Sequence, residues 1–109
     1  MKIFGLTDTG KTRENNQDYL YIDPDFKWCV IADGMGGHKG GETASKLAVE
    51  EIKSVLDGFS GDIEEALRTA IVKANTTVYR EALTNPTLNG MGTTAVVCCF
   101  KDNSAIVAH

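Results

Sequence analysis

Apolar and polar positions alternate with different periods along the chain, and the periods predict its elements. Residues 2–9 (KIFGLTDT) read as a first strand, and a polar loop follows as far as Gln17. Residues 18–23 (DYLYID) alternate as a strand does. Pro24, set between two aspartates, marks a turn. Residues 28–32 (WCVIA) form a short unbroken apolar run, the pattern of a strand buried on both faces. Then the period changes. From Glu42 to Leu56, apolar residues fall at Ala44, Leu47, Ala48, Ile52, Val55 and Leu56, which is helical spacing.

A second helix is predicted beyond it. Asp62 with Glu65 resembles a capping box. Ile63, Ala66, Leu67, Ala70, Ile71, Ala74, Val78 and Ala82 continue it as one apolar stripe, which Asn85-Pro86 ends. Residues 92–100 (GTTAVVCCF) are β-branched and strand-like, KDN is a turn, and residues 104–109 (SAIVAH) begin another strand. The order β-β-β-α-α-β-β predicts an α+β fold with helices layered on an antiparallel sheet. The last strand reaches His109 with no polar tail, which would leave a raw sheet edge. Residues 1–109 are therefore expected to be the N-terminal part of a longer domain.

Composition narrows the function classes. A chain of 109 residues holds one domain at most. With 42% apolar and 24% charged residues it has an ordinary soluble composition. The net charge of −4 and the lack of any Lys/Arg run argue against nucleic acid or an acidic membrane as partner. No apolar stretch is long enough to span a bilayer, and the apolar part of MKIFGLTDTG is too short for a signal peptide. Three cysteines, two of them adjacent, make no disulfide framework. They read as buried thiols in a reducing compartment, hence a cytoplasmic location.

The chemistry centres on Asp33, a carboxylate at the tip of an apolar run and followed by glycines. If the preceding hairpin turns around Asp25-Phe26, Asp18 faces Asp33. Two carboxylates across a ladder repel each other unless a cation or shared water lies between them. Hard cations such as Mg²⁺ and Mn²⁺ take carboxylates, carbonyls and water. Gly34 lets the backbone approach closely, so its carbonyl is a candidate ligand as well. Arg13 offers a guanidinium fork to a phosphate. The spacing equally allows the aspartates to cap turns and GMGGHKGG to be a plain loop. Two phosphate-binding glycine motifs are excluded: Lys39 stands where a dinucleotide turn needs glycine, and Glu42-Thr43 where a P-loop needs Lys-Ser/Thr.

RENNQD (residues 13–18), VIADGMGGHKGGETAS (30–45) and GMGTTAVV (90–97) come in the order and approximate spacing of one family. The chain resembles the metal-dependent protein phosphatase 2C family, in a bacterial member, over essentially its whole length. The resemblance implies the N-terminal half of a β-sandwich, two stacked antiparallel sheets flanked by helices. It also implies hydrolysis of phosphoserine and phosphothreonine in proteins, with two Mn²⁺ or Mg²⁺ ions. By the same resemblance Asp33 bridges both metals, the Gly34 carbonyl binds one, Asp18 holds metal-bound water, and Arg13 grips the substrate phosphate. A water shared by the metals would attack phosphorus in line, with no phosphoenzyme and no cysteine involved.

Some family members carry a histidine directly after the Asp-Gly pair. Met35 stands there in this chain, and His38, three residues later, is either a general acid for the leaving oxygen or a plain loop residue. His109 receives no role.

The family domain continues into a Gly-Asp-Ser-Arg segment and further Asp-Gly and Asp-Asn metal motifs, none of which is present. The 109 residues alone are thus expected to be inactive. Expected substrates are phosphoproteins made by bacterial Ser/Thr kinases. The competing class is a non-enzymatic, degenerate phosphatase that binds phosphoproteins or regulates. A bland α+β domain with a flexible glycine loop is the third reading, and it would gain no stability from Mn²⁺.

Overall fold

The computed structural model describes residues 17–25, 27–36, 40–101 and 104–109. The strand expected over residues 2–9 and two residues of the KDN turn lie outside these. The described elements are β1 (Asp18–Ile22), β2 (Trp28–Met35), α1 (Gly40–Leu56), α2 (Ile63–Thr84), a 3-10 turn (Pro86–Leu88), β3 (Gly92–Lys101) and β4 (Ser104–Ala108). The strands form one antiparallel sheet in the order β1-β2-β3-β4. The α+β architecture expected from the sequence is present.

The β1–β2 hairpin is closed by Asp23, which is only 8% exposed. Its carboxylate accepts the Lys27 amide at 3.0 Å, and its own N–H donates to the Trp28 carbonyl at 3.0 Å. Pro24 and Asp25 form the turn between them, as the composition predicts. Behind the hairpin the Tyr21 and Trp28 rings pack at a tilt with centroids 5.1 Å apart, and the Lys53 ammonium of α1 lies 5.3 Å from the centre of the Tyr21 ring.

Period 2 decides which side chains of β2 face the helices. Trp28, Val30, Ala32 and Gly34 point into the core, and Cys29, Ile31, Asp33 and Met35 point to the other face. The helices supply Ala44, Ala48, Val49 and Ile52 from α1, and Ala66, Leu67, Ala70, Ala74 and Val78 from α2. Small alanines on both helices let α1 lie close to α2 and to the sheet at once. Ile52, fully buried, contributes about 1.5–3 kcal/mol by leaving water. Asp62 caps α2, although its carboxylate accepts from Glu64 N–H at 3.0 Å rather than from Glu65. Asn85 ends α2 and then caps the 3-10 turn through Thr87 N–H, a turn that the periodicity does not predict.

Two expectations need correction. β2 extends three residues past Ala32 and carries Asp33, Gly34 and Met35 in the ladder with β3. The apolar run is also buried on one face only. Among the described residues Ile31 is 54% exposed, Val96 46% and Val107 58%, on the face away from the helices. The cysteines divide likewise. Cys99 faces the helices and is buried, and this burial pushes its thiol up to about 11. Cys29 and Cys98 oppose each other on the open face. No helix among the described residues is long and apolar enough to cross a membrane.

Candidate metal centre

Asp18 and Asp33 are directly opposite partners in the β1–β2 ladder, as the hairpin argument requires. The backbone bonds say more. Gly34 N–H donates to the Gln17 carbonyl at 3.0 Å, and Asp23 N–H donates to Trp28. Hydrogen-bonded pairs alternate with non-bonded ones, so Gln17/Gly34 is a bonded pair and Asp18/Asp33 a non-bonded one. Non-bonded partners have Cα atoms about 4.5 Å apart and the closer side chains. Both carboxylates therefore leave the same sheet face at close range. Asp33 stands exposed at the strand tip, while Oδ1 of Asp18 is shielded from solvent.

The Gly34 carbonyl belongs with them. Within a strand, a residue's N–H and C=O point to the same edge. The N–H of Gly34 reaches β1, so its carbonyl points to the same edge, level with Gln17, one residue before Asp18. Close packing explains the glycine. A Cβ on Gly34 would overlap the Gly41 carbonyl oxygen and lie 2.8 Å from the Gln17 carbonyl oxygen. Gly40 and Gly41, which open α1 two residues earlier than its apolar stripe suggests, are both buried. The positive end of the α1 dipole thus abuts the strand tip that carries the carboxylates.

Two residues that sequence reasoning missed hold this arrangement. Thr94, opposite Asp33 on β3, brings its hydroxyl to both polar groups of the Asp33 backbone. Asp33 N–H donates to Thr94 Oγ1 at 3.3 Å, and that hydroxyl reaches the Asp33 carbonyl at 3.4 Å. Gln17 Nε2 donates to the Gly36 carbonyl at 3.1 Å. The only signals available were their places in the RENNQD and GMGTTAVV motifs.

Asp18, Asp33 and Gly34 are thus brought together. Arg13 and His38 lie outside the described residues. His109 follows Ala108 of β4, which stands opposite Val97, three residues along β3 from the Thr94 that partners Asp33. There it lines a cavity of about 670 Å³ with Val72, Tyr79 and Met91. Two carboxylates and a carbonyl are hard oxygen donors, and the glycine cradle lets the backbone come close, so the residues fit Mg²⁺ or Mn²⁺. Among the described residues no group of three or more His, Cys, Asp or Glu side chains converges.

Known proteins resemble this chain in sequence and in fold. The serine/threonine protein phosphatase PstP of Mycobacterium tuberculosis is 34% identical over 110 residues, covering all of this chain and 21% of the relative. Protein phosphatase PhpP of Streptococcus pneumoniae is 35% identical over 117 residues, covering all of this chain and 47% of the relative. The chain therefore spans about a fifth to a half of the length of these relatives. Among solved structures, the PstP catalytic domain in complex with two manganese ions superposes with a TM-score of 0.81 at 34% identity, over 92% of this chain and 43% of that one. Stp1 of Staphylococcus aureus superposes with a TM-score of 0.80 at 35% identity, over 94% and 43%. The family profile described as Protein phosphatase 2C matches residues 9–109, and the chain belongs to that family.

Proposed function

We propose that this chain forms one wall of a metal-dependent active site that hydrolyses phosphoserine and phosphothreonine in proteins. The observation that carries this reading is the Asp18–Asp33 pair with the Gly34 carbonyl beside it. The named activity of the relatives and the two manganese ions of the PstP structure support it.

Asp33 and the Gly34 carbonyl would hold Mn²⁺ or Mg²⁺, two ions in a complete centre, and Asp18 would act through metal-bound water. Such a cation, once bound, acidifies water and draws charge from phosphoryl oxygens. The residues of this chain do the rest. Thr94 fixes the Asp33 backbone, so the carboxylate keeps its aim. Arg13 would grip the phosphate, and His38 is the candidate proton donor to the leaving serine or threonine oxygen. The remaining anionic ligands must come from outside the described residues. On this reading residues 1–109 are the N-terminal part of a single catalytic domain and lack turnover alone. The substrates are products of bacterial Ser/Thr kinases, in the cytoplasm.

A degenerate, phosphoprotein-binding module would have lost metal donors, whereas Asp18, Asp33 and Gly34 all retain donor chemistry. The test is a p-nitrophenyl phosphate assay with Mn²⁺, with and without EDTA, on a sample whose intact mass is measured. A mass above 11.8 kDa with EDTA-sensitive turnover that Asp33→Asn abolishes is the expected result. A larger mass without metal-dependent turnover would hand the case to the non-enzymatic module. At 11.8 kDa the expected result is no turnover, and EDTA-sensitive turnover there would overturn the reading of this chain as one wall of the site.

A further inference from the structure

We propose that Gln17 is a positioning residue that locks the glycine loop onto the carboxylate pair. Three separate segments meet at this one residue. It sits one residue before Asp18, at the start of β1. Its backbone carbonyl accepts the Gly34 N–H at 3.0 Å. Its side-chain amide donates to the Gly36 carbonyl at 3.1 Å, nineteen residues along the chain. The same amide group lies against Gly41, where a Cβ would come within 2.5 Å of Gln17 Cδ and 2.6 Å of Oε1.

Gly36 is where the chain leaves the strand, with φ at +144°, a conformation that L side chains rarely adopt. A backbone that free needs an outside tether. The Gln17 amide supplies one by tying Gly36 to β1, while its flat face fills the space above Gly41. Gly34, the carbonyl donor, stands between the two attachment points, its own N–H and Gly36. The direction of that carbonyl is therefore set by Gln17 at both ends.

The chemistry of the side chain is specific. A methionine has similar length and packs on Gly41, but it donates no hydrogen bond. A glutamate at neutral pH turns acceptor oxygens toward the Gly36 carbonyl and repels it. Both replacements would free Gly36 without opening a cavity.

Amide hydrogen exchange on the metal-free chain reads the tether through local opening of the strand end. Gln17→Met keeps the backbone bond to the Gly34 N–H but loses the one to the Gly36 carbonyl, so easier opening should raise Gly34 amide exchange about 3- to 10-fold. Amides of Val49 and Val97, in the core, should stay unchanged. Gln17→Glu at pH 7 should reproduce the result. Unchanged Gly34 exchange in Gln17→Met overturns the proposal. An equal rise at Val49 and Val97 also overturns it, because the residue would then serve general stability. Only the consequence for the cation rests on the metal-site reading: Mn²⁺ affinity should fall by a similar factor. A parent chain with protected Gly34 that binds no Mn²⁺ defeats the metal reading and leaves the tether standing. Faster Gly34 exchange with undiminished Mn²⁺ affinity defeats the positioning role alone.

Discussion

Gly34→Ala should unfold the chain far more readily than Gly58→Ala. The added Cβ would overlap the Gly41 carbonyl oxygen, lie 2.5 Å from the Gly41 carbonyl carbon and 2.8 Å from the Gln17 oxygen. Carbon contacts settle near 3.5–4.0 Å, so about 1 Å of backbone movement is demanded. All three atoms belong to main chain, in α1 on one side and at the start of β1 on the other. Neither can rotate away as a side-chain tip does. Overpacking costs about 1–3 kcal/mol, and a clash fixed on both sides belongs at the top of that range, about 3 kcal/mol. For a domain of this size that lowers the thermal midpoint by about 12–24 °C.

Gly58→Ala is the control. Gly58 has φ +70° with no heavy atom within 4 Å of an added Cβ. Its cost is conformational alone, about 1 kcal/mol or about 4–8 °C. Thermal melts by circular dichroism, without metal, compare the two. If Gly34→Ala melts as high as Gly58→Ala, β2 and α1 do not approach as described, and the argument for the Gly34 carbonyl fails with it.

Mn²⁺ at a hundredfold excess over its dissociation constant should stabilise the chain by about 2.7 kcal/mol, and Asp18→Asn or Asp33→Asn should each remove that gain in a thermal-shift assay. Thr94→Val preserves shape but loses the hydroxyl beside the Asp33 backbone, which should cost about 1 kcal/mol in urea melts and weaken Mn²⁺ binding. The Cys99 thiol, raised by burial to about 11 from an ordinary 9.0, resists ionisation in the fold. Stability is therefore full below pH 9 and falls as pH rises from 9 toward 11, because the unfolded chain releases the proton first. Cys99→Ala should flatten that alkaline slope in urea titrations. Asp62→Ala should lose about 1 kcal/mol through the α2 cap.

The hairpin and the two helical stripes were legible because local patterns determine them. Alternation and the Pro24 turn suffice for the Asp18–Asp33 register, since a one-residue slip would turn every side chain over. Elsewhere tertiary contacts overrule local preference. Asp33 and Gly34 are poor strand residues, yet they pair with Thr94 and Thr93. Gly40 and Gly41 are poor helix residues, yet only glycine lets α1 begin against β2. Gln17 and Thr94 act across 19 and 61 residues, a distance at which no periodicity reports. The roles of Arg13 and His38 stay with the family resemblance, because both lie outside the described residues.

The sheet order also has a kinetic meaning. β1 and β2 are joined by a tight turn, whereas β2 meets β3 only after the whole α1–α2 hairpin has been traversed. Local hairpins close in about 1–10 μs, and distant pairings wait for the loop entropy to be overcome. The two aspartates therefore come together early, and Thr94 arrives late to fasten one of them. Changes in the β1–β2 turn should slow folding, and Thr94→Val should chiefly speed unfolding, a division that stopped-flow chevrons would resolve. A nascent chain would thus carry its paired carboxylates before it has the strand that holds them still.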